Sequence, residues 1–252
     1  MVTVLKLGGS VITRKERPET VDERTLTEAA DAVAAAVVGP DPATSDLVLV
    51  HGGGSFGHPH AKEHGVTTAE GTSDFRAAMD IHGAMLTLNE AVLSRLHDRN
   101  VPALPVHPLS AAARDEDGTL SYAVDTVETM LGEGFVPVLH GDGVVHAGEG
   151  VSVLSGDELV VRLAADLDAD RVGLCSTVPG VLDLDGAVVP EIGAFEDVHD
   201  YLGGSDATDV TGGMAGKVRT LLETGVPAHV FGPDAIDEFL DGGSPGTRID
   251  SR

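Results

Sequence analysis

Twice within the first 55 residues a short apolar run ends in a cluster of glycines, and this repetition limits the possible folds more than any other feature of the chain. The first run is Val2 to Leu7, interrupted by Thr3 and Lys6 and closed by Gly8, Gly9 and Ser10. The second is Leu47 to Val50, followed by His51, Gly52, Gly53 and Gly54. Runs this short and apolar read as strands buried on both faces of a sheet. Between them Leu26, Ala29, Ala30, Val33, Ala34 and Val37 recur at helical spacing, a stripe suited to core packing. Thr20 is expected to cap that helix while Glu23 reaches back, a capping box in TVDE. Strand, glycine turn, helix, strand, glycine turn predicts a parallel α/β sheet with both loops at the same carboxyl edge.

The alternation continues. A long helix is expected from about Ser73 to Arg99, with Phe75, Met79, Leu86, Leu93 and Leu96 on one face. Phe75, Met79, Ile81 and Met85 either pack in the core or line an apolar ligand pocket. Ala103 to Val106 and Phe135 to Leu139 read as strands, and VVHAGEGVSVLSGD as a hairpin leading to the turn Ser155, Gly156, Asp157. Asp157 opens a helix over Glu158 to Leu167, where a carboxylate serves either as an N-cap or as a site residue. Arg171 to Leu174, Pro227 to Phe231 and Arg248 to Ile249 complete the strands, with a short helix expected at Glu196 to Leu202. Asp41 to Ser45 reads as a loop. The segment Asp209 to Lys217, DVTGGMAGK, reads as a glycine loop opening a helix through Val218, Leu221 and Leu222. It lacks the glycine spacing and the following Ser or Thr of a P-loop, yet free amides at a helix start beside a lysine suit phosphate oxygens. With no repeat, low-complexity tract or clear linker, the expectation is one domain over 1–252, a three-layer α/β sandwich around a mainly parallel sheet.

Charge and cysteine content exclude several classes of function. Against 16 Lys plus Arg stand 41 Asp plus Glu, a formal net charge of -25, which disfavours nucleic acid and anionic membranes as partners. Such a surface suits a high-salt cytoplasm, where a Debye length of about 3 Å at molar salt screens self-repulsion. A single cysteine, Cys175, fits a reducing compartment, and no segment approaches the ~20 apolar residues of a membrane span, so the chain is expected to be soluble and cytoplasmic.

The chemistry-bearing residues sit at the loops. Gly52, Gly53 and Gly54 can bring amide groups close to an anion, or form no more than a flexible turn. His58 stands four residues beyond the last of them as a donor or proton carrier. Lys6, near the end of a buried strand, either snorkels to solvent or meets an anion. His58 and His60 as a zinc pair is the rival, with no further ligands at suitable spacing; His51 and His140 read as strand-end histidines.

Taken together, Lys6 with GGS, HGGGSFGH, SGD and TGGMAGK, spread over the chain in α/β order, resemble the amino acid kinase superfamily. Ser55, Phe56, Gly57 and His58 after the glycines, and KLGGSVIT followed by Lys15, resemble more narrowly the isopentenyl phosphate kinases. The resemblance implies a kinase that uses ATP with Mg²⁺ to phosphorylate isopentenyl phosphate in isoprenoid synthesis, as a homodimer, without a dedicated metal cage. It implies an acceptor-binding lobe at about 1–150 and a nucleotide-binding lobe at about 151–252. It implies catalytic roles for Lys6, Lys15, His58, Asp157 and Lys217. Nucleotide contacts fall to Lys6, Gly8, Gly9, Ser10, Gly54, Ser176, Thr177, Gly180, Gly213 and Lys217, and acceptor contacts to Gly53, Gly54, His58 and Gly156. One departure stands out: where the superfamily has a TDVDG-like loop, this chain has Ser176, Thr177, Val178, Pro179 and Gly180, leaving backbone and hydroxyl groups to meet adenosine. The alternatives are another small-molecule kinase of the superfamily, or a nucleotide- or phosphate-binding sensor, which would have no need of both lysines.

Overall fold

Strand β1 (Val2–Leu7) is the centre of the sheet, because parallel strands pair along both its edges: β2 (Asp46–His51) and β9 (Arg171–Cys175). The structure is a computed structural model and describes residues 1–40, 42–44, 46–198 and 213–251. Beyond β2 lie β6 (Val136–His140) and β3 (Ala103–Pro105); beyond β9 lie β11 (Ala228–Phe231), β12 (Thr247–Ile249) and β10 (Glu191–Ile192). Among the described residues, only the β11–β12 pair in this sheet runs antiparallel. A smaller sheet of β5 (Leu120–Tyr122), β4 (Ala112–Arg114), β7 (Asp142–His146) and β8 (Gly150–Leu154) flanks it.

Alternation along the central strands sorts side chains between two cores. Leu5, Leu7, Leu47 and Leu49 face one cluster with α2 (Glu23–Val38), α4 (Phe75–His97) and α9 (Ile236–Leu240). Val4, Val48, Val50, Val172 and Leu174 face the other, with α6 (Val124–Gly132), α7 (Gly156–Asp166) and α8 (Gly213–Leu222). Helices therefore cover both faces, which is the three-layer sandwich expected. Leu5 and Leu49 are essentially inaccessible, and truncating either to Ala would cost about 2–5 kcal/mol.

Several local expectations are corrected. Helix α2 is capped by Asp22, whose carboxylate accepts the Thr25 N–H at 3.2 Å, whereas Thr20 donates its hydroxyl to Pro18 O. A bridge between Thr13 and Val21 keeps Thr20 and Val21 extended, so the helix starts later. On α4 the buried face carries Ile81, His82, Met85, Leu88, Asn89 and Val92, whereas Phe75 and Met79 are 65% and 53% exposed. Helix α7 is capped by Ser155, which accepts the Glu158 N–H at 3.1 Å. Asp157 is thereby the second residue of the helix, and its carboxylate is available for other partners. Between 195 and 198 the chain forms a short 3₁₀ turn, Phe195–Asp197; the remainder of the helix expected up to Leu202 and residues 209–212 lie outside the described residues, as do Asp41 and Ser45.

Candidate active site

The two glycine turns pack backbone against backbone at the carboxyl ends of β1 and β2. Gly8 donates its N–H to Cys175 O at 2.9 Å, and Gly52 donates to Leu7 O at 3.0 Å. A side chain on Gly9 would collide with the Gly54 amide, so neither turn tolerates a Cβ there. Gly54 adopts φ +49° and opens helix α3 (Gly54–Glu63). Thr13 locks the junction by accepting the Ser55 N–H at 2.9 Å and donating to Gly9 O at 2.7 Å. Among the described residues, the N–H groups of Gly53 and Gly54 donate to no protein acceptor. A helix start with such amides attracts anions.

Opposite these turns, two lysines remote in sequence share one carboxylate. Lys6 Nζ donates to Asp157 Oδ1 at 2.6 Å, and Lys217 Nζ lies 3.6 Å from Asp157 Oδ2. Lys6 is 6% exposed and therefore does not snorkel to solvent. Gly156 leaves room for this arrangement, since a Cβ there would sit 3.1 Å from Lys6 Cε. Burial raises the Asp157 carboxyl, but Lys6 and Lys217 outweigh it and hold it below the usual carboxylate range. The cluster carries net positive charge and faces a solvent-continuous cleft.

That cleft brings together Lys6, Gly8, Gly9, Ser10, Lys15, Gly53, His58, Gly156, Asp157, Ser176, Thr177 and Lys217 in its lining. Gly54, Gly180 and Gly213 do not line it: Gly54 is buried beneath Gly9, and Gly180 packs against Thr247 and Val188. One wall is apolar, formed by Ala61, Ile81, Met85, Val153 and Leu154, so two of the four apolar candidates on α4 face the cleft. Lys15 and His58 sit on neighbouring supports. Glu19, at φ +45°, donates its N–H to Ser55 O at 2.9 Å, and its carboxylate meets His60 Nε2 at 2.6 Å, clipping the Lys15 segment to α3. His60 is thus occupied by a carboxylate partner, and no described group of three His, Cys, Asp or Glu residues could hold a metal ion.

Sequence reasoning missed the cluster behind the turns. His51, His82, His107 and His140 converge with Asn89 and Asp142 from four separate segments. The His82 imidazole Nδ1–H donates to Asp142 at 2.8 Å, which raises the pKa of this ring. Burial pushes His51 down to about 4 and His140 well below its usual range. Cys175 is likewise buried, its thiol pushed up to about 12 by burial and the charge of Asp234, so it is unreactive at neutral pH.

The chain matches the amino acid kinase family over residues 1–231. It is 62% identical over 248 residues to the isopentenyl phosphate kinase of Haloferax volcanii, covering 98% of each chain. It is 37% identical over 269 residues to that of Methanothermobacter thermautotrophicus, again covering 98% of each. A solved isopentenyl phosphate kinase superposes with a TM-score of 0.83 at 31% identity, over 99% of this chain and 100% of that one. The chain belongs to the amino acid kinase family, as a phosphotransferase of the isopentenyl phosphate kinase group.

Proposed function

We propose that the protein transfers the γ-phosphoryl group of ATP to isopentenyl phosphate, yielding isopentenyl diphosphate and ADP for isoprenoid synthesis. One observation carries this reading: the cleft pairs a two-lysine, one-carboxylate cluster with an apolar wall of Ala61, Ile81, Met85, Val153 and Leu154. An acceptor phosphate oxygen attacks Pγ, the bond from Pγ to the bridging β-oxygen breaks, and ADP leaves with the electron pair. A phosphate monoester with a second pKa of about 6 is largely dianionic near neutral pH, so no strong general base is required. The demand on the protein is to neutralise and align two anions.

In this reading Lys6 and Lys217 straddle the migrating phosphoryl group, Asp157 orients both, and Lys15 adds charge as the transition state forms. The turn of Gly8, Gly9 and Ser10 cradles the ATP phosphates. Gly53, His58 and Gly156 hold the acceptor phosphate, with the tail along Ile81 and Met85. Ser176 and Thr177 meet the nucleotide, with Gly180 packed behind them. Acceptor binding falls to about 1–150 and nucleotide binding to about 151–252. Asp157 is committed to two ammonium groups, and Mg²⁺ would be bound through the phosphate oxygens of ATP. The acidic composition and a relative from a halophile support a salt-rich cytoplasm as the setting, and a homodimer is the proposed assembly.

His58→Ala tests the acceptor assignment. It is expected to lower kcat/KM for isopentenyl phosphate about 100-fold while changing ATP affinity about twofold or less. Equal losses toward both substrates would remove His58 from the acceptor phosphate.

A further inference from the structure

The carboxyl ends of two neighbouring strands carry the same small device. His51 ends β2 and His140 ends β6, the two residues face each other in register, and each is followed by a glycine. In each case ring Nδ1 reaches the carbonyl of the next residue, His51 to Gly52 O at 3.2 Å and His140 to Gly141 O at 3.0 Å. A carbonyl only accepts, so a neutral ring that makes this bond carries its proton on Nδ1. The rings stack 5.3 Å apart at 26°, and Gly141 donates its N–H to His51 O at 3.0 Å. His140 Nε2 accepts from His107 Nδ1 at 2.9 Å, whereas His51 Nε2 lies 3.1 Å from Asn89 Oδ1; with the His51 proton on Nδ1, the Asn89 amide is turned so that its NH₂ group donates to Nε2. Burial keeps the His51 and His140 rings neutral at working pH, consistent with this proton placement.

Both rings are fully buried and neither lines the cleft, whereas Gly52, Gly53 and Gly141 do. A trans peptide points its carbonyl and N–H in opposite directions. Anchoring Gly52 O to the buried ring therefore turns the Gly53 N–H away from the interior. Glycine is the residue least able to hold that orientation unaided. We propose that His51 is a positioning residue: its Nδ1–H fixes the Gly52–Gly53 peptide so that the Gly53 amide is pre-aimed at the acceptor phosphate. The inference rests on the proposed seat of the acceptor on this turn.

The test compares replacements that differ in where they place an N–H. His51→Asn puts an amide nitrogen near the position of Nδ1, His51→Gln puts it near Nε2, and His51→Leu supplies neither. KM for isopentenyl phosphate is expected to rise about tenfold in the Leu and Gln variants and to stay within about threefold of wild type in Asn. The ATP KM should remain within about twofold in all three, which a general loosening of the fold would not permit. If Leu unfolds, the contrast between Asn and Gln carries the test. Equal acceptor KM values in Asn and Gln, or parallel losses for acceptor and ATP, overturn the inference. If wild type itself does not use isopentenyl phosphate, the proposed acceptor fails and the inference falls with it. If wild type does and the Leu and Gln variants match it, only the inference falls.

Discussion

Lys6 and Lys217 reach the same carboxylate from different kinds of support. Lys6 sits on the central strand, fixed between β2 and β9, with its side chain 8% exposed and a 2.6 Å hydrogen bond to Asp157. Lys217 rides on α8, which packs on α7, with its side chain 18% exposed and its nitrogen 3.6 Å from the carboxylate, beyond normal hydrogen-bond range. The sheet presets one cation before any ligand arrives. The helix presents the other with room to adjust, and Asp157 keeps the two from repelling each other apart.

The sharpest way to break this comparison is to remove each charge. Lys6→Met is expected to lower kcat about 10³-fold and Lys217→Met about 10²-fold, read from ADP release at saturating substrates. The reverse order would mean that the helix, and not the sheet, supplies the essential charge. Replacement by Arg sharpens the contrast. A planar guanidinium does not fit the enclosed Lys6 site and should cost about as much as Met, whereas Lys217→Arg should keep kcat within about tenfold.

A smaller effect tests the rigid side of the comparison through pH. In the folded chain His51 titrates at about 4, against an ordinary value of 6.5, so the fold disfavours its charged form. Its contribution to stability is complete above the ordinary value and is lost as pH falls toward 4, by about 3 kcal/mol in all. His140 acts in the same direction. His82, raised by its hydrogen bond to Asp142, has the opposite sign, and its share is lost as pH rises through its folded value. Urea unfolding at fixed KCl between pH 7 and 4 should show a slope that flattens in His51→Asn; an unchanged slope would remove His51 as its source.

Much of this was legible in the chain because its signals are local. The runs at 2–7 and 47–50 and the stripe on α2 carry their own periodicity, and the glycines mark the strand ends, so the parallel sheet and its ligand edge follow. Where two residues competed for one local role, sequence failed. Asp22 outcompeted Thr20 as a cap, and Ser155 capped α7, freeing Asp157 for the lysines. Phe75 and Met79 share helical spacing with buried neighbours, yet near the start of α4 they are exposed among the described residues. The histidine cluster was illegible for another reason: His51, His82, His107 and His140 are separated by 25 or more residues at each step, and it takes the β2–β6 register, the packing of α4 and the segment before Pro108 together to assemble them. Its local trace was the repeated His-Gly pair at two strand ends.

The central claim is that the lysine pair serves transfer onto a phosphate attached to a short apolar chain. ADP release in molar KCl with isopentenyl phosphate, acetylglutamate and UMP as separate acceptors tests it most directly. Turnover with isopentenyl phosphate is expected at a kcat/KM at least about 100-fold above the other two. Turnover confined to the carboxylate or to UMP, or ATP binding with no acceptor used, would contradict it.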